Sequence, residues 1–326
     1  MIEYYLIMRK MTVGKIINFF KRFFSILLSK MFRKLRISGM PWSYSIEPTN
    51  LCNLNCRECA SGLGLLKRKK GVMSYEDFMT VSDKIAPFAL NCFLYFQGEP
   101  FLNKDFLKMA EYADKKKIFT ATSTNGHFIN REVAEKTVLS GLDKIIISFD
   151  GNTQENYSAY RKGGDLEKVI TAIKELSAAK KRLKKLTPVI EVQTIVNRIN
   201  ENELKNIKRF AFSLGADKFY FKTMQIEKSE DFQVFKTSID KFSRYVEQNR
   251  LKKKVGFCNR ILNSAVITID SFVVVCCYDK DADFRLCNLK DNDLKEILLS
   301  ENTLKILTAI EFNEKHRPKM CANCGG

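Results

Sequence analysis

Three cysteines stand within eight residues of one another in the segment "LCNLNCRECASG", which runs from Leu51 to Gly62: Cys52, Cys56 and Cys59. A structural zinc site usually takes four protein ligands, and a ferredoxin cluster takes four thiolates. Three thiolates can instead bind three irons of a 4Fe-4S cluster and leave the fourth iron open to a small ligand. The spacing therefore indicates a metal site with one position free, with zinc or plain core cysteines as the alternatives.

A second group of thiols lies in the last quarter of the chain. It comprises Cys258, Cys276, Cys277, Cys287 and a terminal CxxC formed by Cys321 and Cys324. A CxxC with two distant thiols can supply four ligands to zinc or to an iron–sulfur cluster, and the spacing does not distinguish the two. No secretory signal precedes these ten cysteines, so we expect a reducing cytosol and metal ligation rather than disulfides. Cys92 reads as a core thiol.

Only two histidines are present, His127 and His316. The chain therefore offers few histidines that could act as a general acid or base. We expect each of them to be a polar surface residue and neither to be a metal ligand.

The chain of 326 residues carries a net charge of +18 and is 45% hydrophobic, which predicts folded domains with a large core. Residues 1–39 hold nine Lys or Arg against the single acid Glu3. A basic surface suits an anionic membrane, an acidic protein or a nucleic acid. A nucleic-acid target is disfavoured, because the basic runs at 65–71 and 180–185 have no interleaved aromatic residues for base stacking.

Residues 15–37 show the apolar spacing of an amphipathic helix. The apolar positions are Ile16, Phe19, Phe20, Phe23, Phe24, Leu27, Leu28, Met31 and Leu35. Basic residues interrupt every span that could cross a bilayer. Two interpretations stay open: a helix that lies in the headgroup region of a membrane, or one that packs on the catalytic domain or covers the end of a barrel.

After Pro41, short apolar runs alternate with helical patterns. Predicted strands are Tyr44–Thr49, Cys92–Phe96, Ile118–Ser123, Lys144–Phe149, Val189–Ile195 and Lys218–Lys222. Predicted helices are Tyr75–Ala86, Lys104–Lys115, Arg131–Ser140, Leu166–Lys180 and Glu201–Leu214, the first with Ser74 as its N-cap. This alternation predicts an α/β fold with parallel strands, either an open doubly wound sheet or a partial barrel. The Cys52 loop directly follows the first strand, at the end of the sheet where such folds place their chemistry.

Four segments follow from these patterns. They are a basic amphipathic helix at 1–39, an α/β domain at 40–225, a linker helix at 226–256 and a cysteine-rich domain at 257–326. In the last, Ala265–Asp279 reads as two strands around a turn, and Leu289–Ile310 as one helix or two.

The chain resembles the radical S-adenosylmethionine (SAM) superfamily, whose hallmark is a CxxxCxxC loop after the first strand of a partial barrel. Further matches are "YFQGEP", "TSTNG", "SFDG" and "YSAYRKGG". The resemblance implies a partial (β/α)6 TIM-type barrel, a 4Fe-4S cluster on Cys52, Cys56 and Cys59, and SAM chelated to the open iron. It assigns SAM contacts to Gly98, Glu99, Asn125, Ser148, Arg161 and Gln193, with Asn197 as the alternative to Gln193. The chain departs from the family at Gln97, where glycine is usual, and at Glu58, where an aromatic residue is common.

The last segment resembles the SPASM or twitch extensions of radical SAM enzymes, a small C-terminal α+β cluster-binding unit. This implies one auxiliary 4Fe-4S cluster held by Cys258, Cys276, Cys321 and Cys324. Adjacent strand residues point to opposite faces, so only one of Cys276 and Cys277 should be a ligand. Cys287 is expected to be a spare thiol, and Ser271 stands where the related hairpins have glycine.

The resemblance implies an enzyme that cleaves SAM reductively to a 5′-deoxyadenosyl radical and abstracts a hydrogen from a peptide, a sugar or a lipid-linked substrate. Expected partners are an acidic flavodoxin or ferredoxin as reductant and, through residues 15–37, a membrane surface. The expected location is the cytoplasm, with contact to the inner face of the membrane. The alternative is a non-catalytic iron–sulfur protein that carries electrons or docks a partner.

Overall fold

A nine-stranded sheet forms the centre of the computed structural model, which describes residues 2–248, 250–252, 257–312, 317–321 and 324. Its first six strands are β1 (Ser43–Ile46), β2 (Asn91–Phe93), β3 (Phe119–Thr124), β4 (Lys144–Ser148), β5 (Val189–Val196) and β6 (Lys218–Thr223). They lie side by side in chain order, and every neighbouring pair is parallel. The carboxyl ends of all six strands therefore meet at one end of the sheet.

Two helices precede the first strand and six lie between it and the sixth. The former are α1 (Ile2–Arg9) and α2 (Val13–Phe32), and the latter are α3 (Tyr75–Ile85), α4 (Phe106–Lys115), α5 (Arg131–Leu139), α6 (Gln154–Tyr160), α7 (Leu166–Arg182) and α8 (Leu204–Ser213). The Ser74 side chain accepts a hydrogen bond from the Asp77 backbone N–H, as predicted for an N-cap. All six predicted strands and five predicted helices are present, and the fold is the expected partial (β/α)6 barrel with a C-terminal α+β extension.

The main core lies between the outer side of the sheet and the helices. Buried side chains on that side include Tyr44, Ile46, Leu94, Ile145 and Ile190. The alternate residues of the strands face the barrel interior, and several of them are polar. The fold therefore surrounds an interior that is lined in part by polar side chains.

The C-terminal extension continues the same sheet. After α9 (Ser229–Phe235) and the ribbon of β7 (Tyr245–Glu247) and β8 (Arg250–Leu251) come α10 (Asn259–Asn263), β9 (Ser264–Ile267), β10 (Phe272–Val274), β11 (Arg285–Asn288), α11 (Leu294–Leu299) and α12 (Glu301–Phe312). Strand β9 pairs in parallel with β1, and β10 and β11 follow antiparallel. Ser271 takes the left-handed conformation, φ 66°, that glycine favours in such a turn.

The prediction of a linker helix at 226–256 is wrong for most of that segment. The chain forms the short helix α9, a 3₁₀ turn at Asp240–Phe242 and the antiparallel ribbon of β7 and β8. The apolar side chains of this segment pack on the barrel in one cluster, in which Phe232, Phe235 and Tyr245 are buried with Tyr160. Residues 249 and 253–256 lie outside the described part. The domain boundaries themselves stay predictions.

Helix α1 covers the amino ends of the strands. Leu6 packs in a cluster with Phe119 and Val189, and Glu3 lies 2.9 Å from the Lys218 ammonium. The sequence pattern gave no separate signal for this helix. The predicted helix at 15–37 begins at Val13 and ends at Phe32, because Arg33 takes a left-handed conformation and turns the chain back. Among the described residues, no helix is both long enough and apolar enough to cross a membrane.

A buried ion pair joins the barrel to the extension. Nη1 and Nη2 of Arg68 each lie 2.7 Å from an oxygen of the Glu47 carboxylate, which is completely buried just after β1. Arg68 also donates to the Lys280 carbonyl, and Glu47 accepts from the Ile269 N–H. Burial raises the pKa of Glu47, and the paired guanidinium opposes that shift.

We predict that Arg68→Ala lowers the thermal unfolding midpoint by about 4–7 °C, because it leaves a buried carboxylate without its counter-charge. Differential scanning calorimetry of the anaerobically purified protein measures this change. The loss should shrink as the pH falls through the folded-state pKa of Glu47, since protonation removes the unpaired charge. The control Lys115→Ala removes only an exposed pair with Glu111 and should leave the midpoint nearly unchanged. Equal midpoints for the two variants would contradict this role of the pair.

Candidate functional site

The Cys52 loop lies at the carboxyl end of β1, where it is bound to neighbouring loops. Backbone N–H groups of Asn55 and Arg57 donate to the carbonyls of Lys162 and Tyr160, at 2.9 and 3.1 Å. Ser61 Oγ donates to the Asn50 carbonyl at 2.7 Å and closes the loop on itself. These contacts hold the three thiols on one rigid segment rather than on a free loop.

The thiols of this loop lie close enough together to influence one another's ionisation. Cys56 is buried, and Cys52 and Cys59 are half-buried. Burial raises the pKa of Cys52 to about 11, and the neighbouring Cys59 thiol contributes in the same direction. Thiolates in this setting need a positive partner, which iron ions supply, so the donor set fits an iron–sulfur cluster.

The turn after β2 packs directly on the backbone that leads into Cys52. Gly98 has φ 75°, and a Cβ atom there would lie 2.6 Å from the carbonyl oxygens of both Thr49 and Leu51. The Glu99 N–H donates to the Leu51 carbonyl at 2.7 Å. The turn therefore requires glycine at position 98, and the side chain of Gln97 does not prevent it.

The buried Glu99 carboxylate joins this turn to the end of β3. It accepts hydrogen bonds of 2.7 Å from the Thr124 hydroxyl and from the Asn125 N–H. Burial raises the pKa of Glu99 to about 7, which these hydrogen bonds oppose. Glu99 thus connects the loops after β2 and β3 in addition to any contact with a ligand.

Asn125 extends this network to the Cys52 loop. Its Nδ2 donates to Asn53 Oδ1 at 2.7 Å, and its carbonyl lies 3.0 Å from His127 Nδ1. His127 Nε2 accepts from the Asp165 N–H at 2.8 Å, so Nδ1 carries the proton and donates to Asn125. The expectation of a simple surface histidine is therefore wrong for His127, which is half-buried and fixes this loop to the start of α7. His316 lies outside the described residues.

Arg161 lies between the end of β4 and the cluster loop. Its Nε donates to Asp150 Oδ2 at 2.6 Å, and Nη1 lies 3.9 Å from Cys56 Sγ. Asp150 is buried and also accepts from the Ile195 N–H at 2.6 Å. The Asp150 carboxylate thus holds the guanidinium beside the thiols. Asp150 belongs to the segment "SFDG", but the sequence patterns assigned it no role.

Ser148 and Gln193 are directly opposite each other in the pairing of β4 with β5. Both face the barrel interior and are half-buried, and Gln193 donates to Glu191. Asn197, the alternative to Gln193, uses its side chain within the turn after β5, where it donates to Ile195 and accepts from Ile199. Gln193 is therefore the one of the two that faces the interior.

The barrel interior also carries charged residues to which the sequence patterns assigned no role, and Lys144 among them lies at the amino end of β4. Lys144 Nζ lies 3.1 Å from the buried Glu191 carboxylate, one strand away. Burial lowers the pKa of Lys222 on β6. The alternation of side chains along a strand shows which residues face the interior. It does not show which charged residues of neighbouring strands form pairs.

Glu58 links the cluster loop to the segment before α9. Its backbone has φ 62°. Its carboxylate accepts a hydrogen bond from the Glu227 N–H at 2.7 Å and one from the Lys228 N–H at 3.3 Å. The adjacent Arg57 forms an ion pair with the buried Asp231. The acid at position 58 therefore has a structural partner and does not simply face solvent.

Four cysteines of the extension line a single cavity. Its walls are Cys258, Cys276, Cys321 and Cys324 together with Arg260, Ile261, Tyr278, Ile310, Arg317 and Met320. Burial raises the pKa of Cys258, and that of Cys321 to about 11, so thiolates here need the positive charge of iron ions, as at the first site. Cys277 is absent from the cavity wall, is exposed and lies 3.7 Å from Arg260 Nη1.

The two remaining thiols lie away from both sites. Cys92 is buried in the core under α3, and Cys287 is exposed on β11. Within the residues that the structure describes, no three Cys, His, Asp or Glu side chains converge closely enough to hold a single metal ion. A 4Fe-4S cluster does not need such convergence, because each thiolate binds a different iron.

Comparisons with known proteins agree with this geometry. The sequence profile of the Radical SAM superfamily matches residues 46–242, and that of the SPASM iron-sulfur cluster-binding domain matches residues 258–325. Mycofactocin maturase MftC of Mycobacterium ulcerans is 31% identical over 170 residues, which are 52% of this chain and 44% of MftC. The match thus spans less than half of that relative.

Two solved structures share the fold over most of the chain. SuiB of Streptococcus suis, bound to S-adenosylmethionine, superposes with a TM-score of 0.66 at 12% identity and covers 93% of this chain and 75% of its own. BtrN, in complex with AdoMet and 2-DOIA, superposes with a TM-score of 0.56 at 16% identity. The superposition covers 89% of this chain and 95% of BtrN. The chain belongs to the radical SAM superfamily of enzymes, with a SPASM-type extension, and its cofactors are a SAM-binding 4Fe-4S cluster, an auxiliary iron–sulfur cluster and SAM.

Proposed function

We propose that this protein uses SAM to abstract a hydrogen atom from a polar substrate held in the barrel interior and thereby oxidises or crosslinks it. When bound, a 4Fe-4S cluster on these thiols would supply the electron that cleaves SAM to methionine and a 5′-deoxyadenosyl radical, which takes a hydrogen atom from the substrate. Oxidation of the resulting substrate radical would give one electron to the auxiliary cluster and release one proton. The observation that carries the proposal is the set of three close thiols at the carboxyl end of β1, beside Arg161 and the turn at Gly98.

The proposed roles follow the positions of the side chains. Cys52, Cys56 and Cys59 would hold the first cluster. Arg161 offers a planar guanidinium for the SAM carboxylate, and its ion pair with Asp150 fixes the orientation. Gly98 and Glu99 would receive the methionyl amine, and Asn125, Ser148 and Gln193 would face the ribose or the substrate. Cys258, Cys276, Cys321 and Cys324 would hold one auxiliary 4Fe-4S cluster.

The barrel interior supports a polar substrate. Lys144, Glu191 and Gln193 face it, and a hydrocarbon chain beside them would leave buried charges poorly solvated. A peptide is the first candidate, because SuiB has been crystallised bound to its precursor peptide SuiA. A sugar or aminocyclitol alcohol is the second, and a lipid-linked substrate would have to place its polar part here.

An acidic flavodoxin or ferredoxin is the proposed reductant. Lys67, Lys69 and Lys70 are exposed and follow the third cysteine, Cys59, by eight to eleven residues. Their positive field would attract an acidic protein to the segment that continues from the Cys52 loop. Membrane contact through residues 15–37 is a separate proposal that depends on α2 alone.

We predict that anaerobic protein reduced with dithionite converts SAM to 5′-deoxyadenosine and that the triple variant Cys52→Ala/Cys56→Ala/Cys59→Ala does not. Liquid chromatography of the quenched reaction measures the product. A non-catalytic electron carrier would give no 5′-deoxyadenosine in either protein, and that result would exclude the proposed function.

The same triple variant tests the auxiliary site. After reconstitution it should retain about four irons and four sulfides per chain, because the second set of cysteines is intact. Adding Cys276→Ala should remove this iron, whereas the matched change Cys277→Ala should not. Retention of one zinc in place of iron, or equal iron in both variants, would refute the proposed ligand set.

Gly98→Ala should impair SAM binding and stability together. Gly98 and Gly163 both have positive φ, but a Cβ atom at position 163 would meet nothing within 4 Å. Gly163→Ala should therefore lower the thermal midpoint by about 1–3 °C, the cost of the backbone conformation alone. Gly98→Ala adds a clash with two carbonyls and should lower it by at least about twice as much. Calorimetry and SAM titration check this, and similar losses in both variants would contradict the close packing of the turn.

Reversing the charges at Lys67, Lys69 and Lys70 to Glu should slow 5′-deoxyadenosine formation by about tenfold or more when flavodoxin is the reductant, because attraction becomes repulsion. With dithionite, a small reductant, the rate should stay within about twofold of that of the unmodified protein. Equal slowing with both reductants would mean that these residues act on the site itself rather than on reductant docking.

A further inference from the structure

Helix α2 has its polar side buried and its apolar side exposed. The buried residues are Lys15, Asn18, Arg22, Ser25 and Ser29. On the opposite side lies what we call the outer face, with side chains 39–74% exposed: Val13, Ile16, Ile17, Phe20, Phe23, Phe24, Leu27, Leu28, Met31 and Phe32. A helix that packs on a globular domain normally buries its apolar side, so the orientation of α2 is inverted.

Hydrogen bonds from the buried side fix this orientation. Asn18 donates to the Met40 carbonyl at 3.0 Å and accepts from the Met40 N–H at 2.7 Å. Arg22 Nε donates to the Leu262 carbonyl at 2.6 Å, and Lys15 Nζ donates to the Lys117 carbonyl at 2.5 Å. Turning the helix over would expose apolar core and leave these backbone carbonyls without donors. The outer face is therefore exposed because the fold requires the other side.

Within α2 and the described residues that follow it up to Ile46, every charge that borders the outer face is positive. At 100° per residue, Lys21 and Lys30 fall on its two edges, and both are exposed. Exposed Arg33, Lys34 and Arg36 follow at its carboxyl end. The sequence contains no Asp or Glu from Tyr4 to Ile46. An apolar stripe with phenylalanines and a purely cationic border matches an acyl layer covered by anionic headgroups.

We propose that the outer face of α2 binds the surface of a membrane that contains anionic lipids, on its cytoplasmic side. The helix lies in the headgroup region, with Lys21 and Lys30 directed toward lipid phosphates. A second copy of this chain fits less well, because two outer faces in contact would bring cations against cations without an acid between them.

The position of α2 separates the membrane from the chemistry. The buried side contacts residues that immediately precede β1, β3 and β9, namely Met40, Lys117 and Leu262. These lie at the amino ends of the strands, whereas the Cys52 loop follows the carboxyl end of β1. Membrane-bound protein thus keeps the Cys52 loop at the far end of the sheet from α2, and docking does not depend on the proposed function.

Vesicle sedimentation tests the proposal with the full-length holoprotein. The unmodified protein should bind vesicles of phosphatidylcholine mixed with phosphatidylglycerol more tightly than vesicles of phosphatidylcholine alone. Phe20→Glu/Phe24→Glu should weaken partitioning into the mixed vesicles by at least about tenfold. The control Phe212→Glu/Val234→Glu makes the same charge change at apolar side chains of similar exposure, 43% and 42%, outside the N-terminal segment. It should stay within about twofold of the unmodified protein.

A second variant reports insertion directly. In a Trp42→Phe background, which removes the native tryptophan, Phe24→Trp should show a blue-shifted emission that is quenched by brominated lipid only with the mixed vesicles, because the ring enters the acyl boundary. Equal partitioning of Phe20→Glu/Phe24→Glu and its control would overturn the proposal. Failure of the unmodified protein to bind vesicles would also overturn it. If the unmodified protein then formed dimers and Phe20→Glu/Phe24→Glu were monomeric, the outer face would be assigned to a second copy of the chain.

Discussion

The contact of the turn at Gly98 with the strand end before Cys52 determines the rest of the site. Two carbonyls, of Thr49 and Leu51, approach position 98 so closely that no side chain fits. The buried Glu99 next to it ties the loops after β1, β2 and β3 together through hydrogen bonds. Parallel pairing brings these strand ends to one level. The contacts of the turn then hold the loops that follow the strands in fixed positions relative to one another. Without it, the thiols would sit on a loop fixed at one side only.

Local signals were sufficient for most of the elements and for the cysteines. Strands with continuous apolar runs, the Ser74 cap and the CxxxCxxC spacing each act over a few residues, so the sequence displays them directly. Asp150, Glu58 and His127 could not be assigned in this way, because their roles depend on partners far along the chain: Arg161 and Ile195, Glu227 and Lys228, and Asp165. The prediction of helix for the ribbon of β7 and β8 was wrong because Tyr245 packs in one cluster with Tyr160 and Phe232, a contact that the local pattern does not display.

The N-terminal segment illustrates a different limit. Hydrophobic periodicity predicts that α2 has two unlike faces, but it does not say which face meets the protein. That choice depends on free backbone carbonyls elsewhere, here those of Met40, Lys117 and Leu262, which need donors and receive them from Asn18, Lys15 and Arg22. Helix α1, which lies outside the predicted segment, covers the end of the barrel, while α2 packs on the domain through its polar side and leaves its apolar side outward.

The topology also sets the relation between the two cysteine groups. Strand β9 runs parallel to β1, and β10 returns antiparallel, with Val274 opposite Val266. Cys276 thus lies near the level where β1 begins, whereas Cys52 lies beyond the level where it ends. Cys276 also belongs to the main core on the outer side of the sheet, with Ile261 and Ile310 of the cysteine cavity. The topology therefore keeps the two cysteine groups apart, at different levels of the sheet.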